Sequence, residues 1–427
     1  MNLCKKLVFI FSVILVVLSI QVSKAEASTP IVNVDGQRVN FSGAQPQLLN
    51  GSTYVPVRAI SESMGLDVEW TSNIDQRVIF TNPYKPEFSV RIRVNSSTIE
   101  FLHWNNITAT KQLSVPVRII DGTTMVPIRF FEIAFDAKVV WQSTSSPIEV
   151  YTKQLRDTQR LILSSLVYSN VDSVNGGTSL GSIKYDANPE FKNFLDDFTQ
   201  NITNKSRLSQ YTEHYQNGVT KDVNAFMKYY LMDHWEVSTF LDSSDELYSG
   251  ELKISGFNGI AFYNNMTNEY VIAIRGSNNL WDFYATNFQY WINSYNNQEK
   301  YALRLYNKLM REKNPNSVGV TGHSLGGMLS QYLAKSIPNL SYGITFNAPG
   351  NSARVIYEGN RAKITNYMIN TDYIAKTFYP DQKFGQVVGF DMPVYVNDLT
   401  SAAHRQFNFY RYFYSPKTTY WNAFLPK

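Results

Sequence analysis

In the C-terminal half of the chain, short apolar runs alternate with stretches whose apolar residues recur at helical spacing. The predicted strands are Tyr270–Ile274, Val318–Thr321, Tyr342–Phe346 and Ile364–Ile369. The predicted helices are Gln298–Lys313 and Leu325–Ile337. Because strands that alternate with helices build parallel units, this order predicts an α/β domain with a mostly parallel sheet and helices on both faces.

The N-terminal part contains an internal repeat. The stretch NGSTYVPVRAISESMGLDVEW, which starts at Asn50, recurs as DGTTMVPIRFFEIAFDAKVVW, which starts at Asp121. Each copy has the pattern of a turn, a short strand, a short amphipathic helix and a strand ending in tryptophan, at Trp70 and Trp141. We therefore expect residues 30–152 to form a small α+β domain of two internal repeats packed around these tryptophans.

The two parts are joined by polar sequence. Thr152 to about Leu161 reads as a short polar hinge that leads into a helix, and residues 155 to 250 read as mainly helical. The boundaries predicted from these patterns are 30–152 for the repeat domain and 155–427 for the α/β domain.

Residues 1–27 have the layout of a secretory signal peptide. Lys5 and Lys6 precede an apolar run from Leu7 to about Val22, and a stretch of small residues follows. The alternative is an uncleaved membrane anchor, but the run is short for a span of about 20 residues. The layout predicts a secreted protein, and association with the cell surface after secretion is compatible with it.

Composition narrows the class of protein. Of the 427 residues, 44% are hydrophobic and 17% are charged, which is typical of a globular chain with a packed core. The single cysteine is Cys4, so cleavage after residue 27 leaves a chain without disulfides. The formal charge of +4 falls to +2 when three lysines and Glu26 leave with the signal segment. A nearly neutral chain gives no support to nucleic-acid binding.

The segment SVGVTGHSLGGMLSQYLAKSIP places a serine between glycines, where a predicted strand turns into a predicted helix. This G-x-S-x-G pattern in a strand–turn–helix context is the nucleophile elbow of serine hydrolases. The glycines leave room for a tight turn, whose apex serine, Ser324, is expected to present an exposed hydroxyl. The alternative is an ordinary glycine–serine loop before a helix.

A serine nucleophile needs a base and an acid that orients the base, and in this arrangement both follow the serine along the chain. His404 is the only histidine after Ser324, so it is the predicted base. Asp372, which directly follows the strand Ile364–Ile369, is the predicted acid, and its alternative role is a helix cap. The competing carboxylates between the serine and the histidine are Asp381, Asp391 and Asp398.

The developing oxyanion needs two donors placed in advance. One is the backbone N–H of Leu325, directly after the serine, at the N-terminus of the predicted helix. The other is expected from the loop after an early strand, where Ser277 in EYVIAIRGSNNLWDF offers a backbone N–H and a hydroxyl. The alternative for this loop is an ordinary turn at a strand end.

The motifs GFNGIAFYNNMTNEYVIAIRGS, VTGHSLGGMLSQYLA, ITFNAPG and NTDYIA resemble, in this order, the class 3 lipase family. The resemblance covers about residues 230 to 415 and implies an α/β-hydrolase fold and hydrolysis of carboxylic esters, often in lipids, without a metal or other cofactor. It implies Ser324, Asp372 and His404 as the catalytic residues, with Ser277 and Leu325 at the oxyanion hole.

The repeat region, through Val-Pro-x-Arg and the terminal tryptophan of both copies, resembles the copper amine oxidase N-terminal-like domain, a module of many bacterial secreted and surface proteins. His103 is its only histidine and it has no cysteine, so we expect no metal site there.

The stretch from Trp281 to Trp291 is unusually aromatic. An apolar lid over an acyl pocket has this composition, because it exchanges burial in the protein for burial in lipid. A core helix has the same composition, so both interpretations stay open.

Three functions fit these patterns. The first is a secreted lipase or esterase, phospholipases included, that acts on a lipid or small ester and is held at a cell wall or other surface by its N-terminal domain. The second is a thioesterase or peptidase on the same fold, which a fold and a triad cannot exclude. The third is a surface-binding protein with an inactive hydrolase domain. The presence of all three predicted triad residues, in the order Ser, Asp and His along the chain, disfavours this function.

Overall fold

A computed structural model of the protein describes residues 29–71, 75–83, 85–143, 145–169, 177–187, 191, 223–241, 257–276, 288–372, 375–376, 383–390, 409 and 413. Within these ranges, no helix is long and apolar enough to cross a membrane.

The N-terminal region is built from short strands. These are β1 (Val32–Val34), β2 (Gln37–Arg38), β3 (Gln47–Leu49), β4 (Ser52–Pro56), β5 (Asp67–Thr71), β6 (Arg77–Asn82), β7 (Lys85–Arg93), β8 (Thr98–His103), β9 (Asn106–Gln112), β10 (Arg118–Ile120), β11 (Thr123–Pro127), β12 (Lys138–Val140) and β13 (Ile148–Tyr151). Helix α1 (Val57–Ser63) follows β4, and helix α2 (Phe130–Phe135) follows β11. The strands form three sheets, in the orders β12-β13-β1-β2, β10-β11-β4-β3 and β5-β6-β7-β8-β9.

The two stretches of similar sequence meet at the pair β4 and β11, which is antiparallel with Val55 opposite Val126. Each stretch supplies a strand, a short helix and a further strand, and that they are repeats of one unit stays a prediction from the sequence. Trp70 packs against the core of this region, as expected. The expectation for Trp141 was wrong, because β12 ends at Val140 and the tryptophan beyond it is 41% exposed.

The C-terminal region has one seven-stranded sheet. Its elements are helix α3 (Lys153–Leu166), helix α4 (Val223–Leu231), β14 (Trp235–Leu241), β15 (Gly259–Asn264), β16 (Glu269–Ile274), helix α5 (Phe288–Lys313), β17 (Val318–His323), helix α6 (Leu325–Ser336), β18 (Leu340–Phe346), β19 (Ile364–Ile369) and β20 (Gln386–Phe390). The strands lie in the order β14 to β20, parallel from β16 to β20 and antiparallel among β14, β15 and β16. The sheet is therefore mixed and mostly parallel.

The prediction of a mainly helical segment from residue 155 to 250 was wrong at its end. Residues 235–241 form strand β14, in which buried and partly buried positions alternate along the whole length. Alternation with a period of two is typical of a half-buried strand. The helical prediction for the surrounding residues overlooked this pattern.

The predicted polar hinge after Thr152 is also wrong, because α3 begins there without a gap. The hydroxyl of Thr152 accepts a hydrogen bond from the Leu155 N–H at 3.2 Å, which caps the helix. The carboxylate of Asp35 accepts bonds from the Thr152 N–H and hydroxyl, each at 2.7 Å. The chain therefore passes from the last N-terminal strand into the first C-terminal helix through a fixed junction.

Helix α3 is buried along nearly its whole length although it carries several charges. At its start, the Lys153 ammonium lies 2.5 Å from the Asp157 carboxylate and 2.9 Å from the Tyr367 hydroxyl on β19. One turn further, the Arg160 guanidinium lies 2.7 Å from the Glu269 carboxylate at the start of β16. These bonds tie the helix to two strands of the sheet.

Arg160 and Glu269 also interact with neighbouring side chains. The Arg160 guanidinium lies 4.7 Å from the ring centroid of Trp235 and 4.7 Å from that of Tyr342, within the range of cation–π contacts. Burial opposes ionisation of Glu269, but Arg160 and Arg156 outweigh burial and lower its pKa. The buried charges are therefore compensated, as the interior of a fold requires.

Candidate active site

Ser324 lies between the end of β17 at His323 and the start of α6 at Leu325. Its backbone has φ 56° and ψ −127°, a conformation that residues with a side chain rarely adopt. Its N–H donates to the Phe346 carbonyl at 3.0 Å, which fixes the turn against β18. The residue therefore sits at a sharp, strained strand-to-helix turn of the kind predicted from the motif.

The two glycines of the motif are required by close contacts. A Cβ on Gly322 would lie 2.4 Å from the Gly326 carbonyl, and a Cβ on Gly326 would lie 2.0 Å from the Ile274 carbonyl oxygen on β16. Both distances are far inside van der Waals contact, so only glycine fits at either position. The prediction of an exposed hydroxyl was wrong, because Ser324 is only 2% exposed and the end of β16 packs against the turn.

The parallel strands bring several motifs to one edge of the sheet. His323, Phe346 and Tyr367 are level with one another at the carboxyl ends of β17, β18 and β19. Ser324 follows the first of these ends directly, and Asp372 follows the last strand after two intervening residues. Because carboxyl ends of parallel strands meet at one edge, Ser324 and Asp372 lie on the same side of the sheet.

Asn347, in the quoted motif ITFNAPG, connects the ends of β18 and β19. Its N–H donates to the Tyr367 carbonyl and its side-chain oxygen accepts from the Ile369 N–H, both at 2.8 Å. Its φ of 47° lies in the left-handed region, which asparagine tolerates better than most residues. Asn347 thereby fixes the strand end that precedes Asp372.

Asp372 is fully buried at this edge. Its backbone N–H donates to the Ile369 carbonyl at 2.9 Å, which closes the turn after β19. One carboxylate oxygen lies 3.5 Å from the Ala375 N–H, the contact expected of a helix cap. The position therefore fits both roles that the sequence left open for Asp372, the orienting acid and the cap.

Other predicted site residues fall outside the described part of the chain. These are His404, Ser277 and the competing acids Asp381, Asp391 and Asp398. Leu325 is described: it is the first residue of α6, whose positive end faces the turn. The aromatic stretch is described only as backbone from Phe288, where α5 begins ten residues earlier than predicted, so the lid stays a prediction.

Tyr168 belongs to this edge although no motif pointed to it. It follows the end of α3, and its hydroxyl accepts a hydrogen bond from the Gly276 N–H at 2.9 Å. The same hydroxyl lies 3.4 Å from Nδ1 of His323, inside the elbow. Tyr168 was missed because a contact with residues more than a hundred positions away leaves no local pattern.

The residues of the N-terminal region do not fit a copper site. The described residues contain no group of three or more histidine, cysteine, aspartate or glutamate side chains that could hold a metal ion. The His103 ring instead stacks on Phe88, with ring centroids 4.7 Å apart. Imidazole and thiolate donors, which copper prefers, are therefore not assembled there.

Two family models match the chain. Residues 33–150 match the copper amine oxidase N-terminal domain, and residues 235–380 match the Tle-like phospholipase domain. The chain therefore contains one segment that is similar to the copper amine oxidase N-terminal domain and one that is similar to the Tle-like phospholipase domain. The matches confirm the resemblance read from the motifs, and the elbow of Ser324 and the buried Asp372 both lie in the phospholipase-like segment.

Three solved structures to which the chain is similar are lipases. The Lip2 lipase from Yarrowia lipolytica is 17% identical over 39% of this chain and 69% of its own, with a TM-score of 0.29. Lipase II from Rhizopus niveus is 14% identical over 58% of this chain and 80% of its own, with a TM-score of 0.31. The Rhizomucor miehei lipase in its propeptide complex is 15% identical over 51% of this chain and 75% of its own, with a TM-score of 0.28. No curated protein matches the chain.

Proposed function

We propose that the protein is a secreted serine hydrolase that cleaves carboxylic esters of lipids. Ser324 attacks the ester carbonyl, His404 takes the serine proton and passes it to the leaving alcohol, and Asp372 orients the histidine. In the second half of the reaction, His404 takes a proton from a water molecule, which attacks the acyl-enzyme. The histidine then returns the proton to the Ser324 oxygen as the carboxylic acid leaves. The backbone N–H groups of Leu325 and Ser277 stabilise the oxyanion in both halves of the reaction.

The observation that carries this proposal is the backbone of Ser324. A serine with positive φ, set between a buried strand and a helix N-terminus, is held at an energetic cost that a loop without a function would not require. The match of residues 235–380 to a phospholipase-like model supports lipid esters as the substrate class.

A fluorophosphonate probe tests whether Ser324 is an activated nucleophile. We expect the probe to label Ser324 and a Ser324→Ala variant to show no labelling at that peptide and no ester hydrolysis. Truncating a triad nucleophile costs on the order of a millionfold in turnover. His404→Ala should be equally damaging, and the double variant no worse than either single one, because triad members act as a unit.

A substrate panel separates the candidate functions. Nitrophenyl esters of rising acyl length, triglyceride, phospholipid, a thioester and a peptide substrate should be compared with one preparation. Preference for the lipid esters supports the proposal, whereas faster cleavage of the thioester or peptide would assign the alternative chemistry. Unlabelled Ser324 and no turnover on any substrate would indicate a surface-binding protein with an inactive domain.

We also propose that the N-terminal domain holds the enzyme at a cell wall or other surface, and that residues 1–27 are removed on export. Intact-mass measurement of the secreted protein tests the second point. A mass that retains residues 7–22 would indicate a membrane-anchored enzyme instead.

A further inference from the structure

We infer that Tyr168 is a positioning residue that holds Gly276, from which the predicted oxyanion loop starts, against the nucleophile elbow. The inference rests on the proposed function, since it assigns a part to a residue outside the predicted triad and oxyanion hole. The juxtaposition that carries it is the Tyr168 hydroxyl between the Gly276 N–H, at 2.9 Å, and Nδ1 of His323, at 3.4 Å.

The hydroxyl has the donor and acceptor groups that this position requires. It accepts the hydrogen bond of the Gly276 N–H, and its own proton points to His323 when that ring carries its proton on Nε2. One side chain thus connects the end of β16 to the residue that precedes Ser324. The Tyr168 and His323 rings also lie near each other, with centroids 6.3 Å apart and planes tilted by 60°.

Gly276 is packed tightly between these groups. A Cβ on it would lie 2.4 Å from the Tyr168 hydroxyl, 2.8 Å from the His323 carbonyl oxygen and 3.3 Å from the Ser324 Cβ. A residue with a side chain therefore does not fit at this point. The next residue along the chain is Ser277, the proposed second oxyanion donor, and our inference is that a shift of Gly276 would shift that donor as well.

The helix that carries Tyr168 is itself fixed to the sheet. Its bonds to Tyr367 and Glu269 join α3 to β19 and β16, and the Thr321 hydroxyl on β17 donates to the Arg160 carbonyl at 3.3 Å. Tyr168 follows directly, with its N–H donating to the Ser165 carbonyl at 3.1 Å. The tyrosine hydroxyl therefore transmits the position of a rigid helix to the loop.

This arrangement bears on the rate of the chemical step. An oxyanion donor acts only when it is about 2.7–3.1 Å from the charge that develops in the transition state. A misplacement of about 1 Å costs on the order of a hundredfold in rate. The Tyr168 hydroxyl contacts Gly276 and His323, the residues that precede the predicted donor Ser277 and the nucleophile Ser324, so we infer that it acts through their positions.

The test is Tyr168→Phe, which keeps the ring and removes the acceptor of the Gly276 N–H. On a soluble short-chain nitrophenyl ester, we expect kcat to fall about 10- to 100-fold and KM to change less than about twofold, because the lost interaction acts in the transition state. The inhibition constant of a trifluoromethyl ketone, whose adduct carries the oxyanion, should rise in parallel with the loss in kcat/KM.

Tyr185→Phe is the matched control. Tyr185 is buried in the same apolar cluster and its hydroxyl donates to the Leu180 carbonyl at 2.9 Å, away from the elbow. It should lower the thermal midpoint by about as much as Tyr168→Phe and leave kcat and the ketone constant within about twofold of the wild type. Equal kinetic losses in both variants, or a kcat for Tyr168→Phe within twofold of the wild type, would overturn the inference.

The two proposals fail in different ways. If the wild type hydrolyses no ester, the proposed function is wrong. The rate at which a fluorophosphonate labels Ser324 then still reports on the loop, since that attack also develops charge on an oxygen. Slower labelling of Tyr168→Phe than of Tyr185→Phe supports the positioning role, and equal rates, including no labelling of any form, contradict it.

Discussion

At the scale of single residues, the site is held by strain and close contacts. Ser324 keeps a positive φ because β17 must turn into α6 within one residue, and Gly322 and Gly326 allow β16 and β17 to approach that turn. A conformation of this kind costs about 1–3 kcal/mol, which the packing around it has to offset. The backbone conformation of Ser324 therefore affects the free energy of unfolding, whereas its hydroxyl is needed for the proposed reaction, and substitutions can change the two separately.

This separation gives a prediction for Ser324→Gly. Glycine adopts φ 56° and ψ −127° with little strain, although it also gains freedom in the unfolded chain. We expect Ser324→Gly to be inactive and to exceed Ser324→Ala in free energy of unfolding by about 1 kcal/mol. Urea denaturation of both variants measures the difference, and equal or lower stability of the glycine variant would argue against strain at the turn.

Asp372→Asn gives a second prediction at this scale. The asparagine oxygen can still accept from the Ala375 N–H, so the turn after β19 should stay folded and the thermal midpoint nearly unchanged. Loss of the acid that orients the histidine costs a triad about 10⁴-fold in turnover. Asp381→Asn and Asp398→Asn are matched controls, and a larger loss in either of them would move the third triad member away from Asp372.

At the scale of elements, the junction between β13 and α3 contains an unusual carboxylate. Burial raises the pKa of Asp35 from 3.8 to about 6, with the Thr152 hydrogen bonds opposing and Glu149 adding to that rise. Burial also raises the pKa of Glu149. The folded protein therefore holds protons on this junction that the unfolded chain has already released.

The sign of the pH dependence follows from that difference. Between about pH 4 and pH 6 the folded state binds more protons at Asp35 than the unfolded state, so the free energy of unfolding falls as pH rises through this window. We expect Asp35→Asn, which tolerates the local φ of 49°, to remove this part of the fall.

Urea unfolding of the wild type and the variant at pH 4 and pH 7 tests the prediction. The stability of the wild type relative to Asp35→Asn should be lower at pH 7 than at pH 4. Glu149→Gln is the control: it should remove the contribution of Glu149 itself and the part of the Asp35 rise that Glu149 causes, and it should leave the rest of the fall in place. A difference between wild type and Asp35→Asn that stays constant from pH 4 to pH 7 would show that Asp35 does not titrate in this window.

The elements also show where sequence patterns were sufficient. Strands β17, β18 and β19 were predicted within two residues of their bounds, because each contains an apolar run that is buried over most of its length. The start of α3 was read as a hinge because Lys153, Asp157 and Arg160 look like exposed positions. They are buried instead, since each finds a partner on another element, and no local pattern records such partners.

The same reason limits what the sequence says about the site. Ser324 and Leu325 are marked by a local motif, and Asp372 by the end of a strand. Tyr168 is marked by neither, because its role depends on Gly276 and His323, which the fold brings close to it. His404 and Ser277 stay predictions from the sequence.

At the scale of the whole molecule, the fixed junction changes how the two domains can be separated. A chain that begins at Gln154 lacks the Thr152 cap and the Lys153 ammonium that contacts Asp157 and Tyr367. A cap is worth about 1 kcal/mol, and breaking one side of a buried ion pair costs about 3–5 kcal/mol. The two residues before Gln154 therefore belong to the hydrolase domain.

We predict that a chain beginning at Thr152 has a higher thermal midpoint than one beginning at Gln154. The longer form should keep its turnover on a soluble short-chain ester and lose retention on cell-wall material, if the N-terminal domain serves attachment. Loss of soluble turnover by a folded form that begins at Thr152 would instead make the N-terminal domain part of the active site. Equal midpoints of the two forms would contradict the role of the cap.

The pairing of β1 with β13 has a mechanical consequence. The two strands are parallel, with Val32 opposite Ile148 and Val34 opposite Val150, and the hydrolase domain continues from the far end of β13. A pull between the N-terminal end of β1 and the hydrolase domain would act along both strands in opposite directions. The hydrogen bonds between them would then resist the pull together in shear rather than open one after another. A protein fastened by its N-terminus to a moving surface would thus carry the load in shear across the strand pair where the N-terminal domain begins and ends.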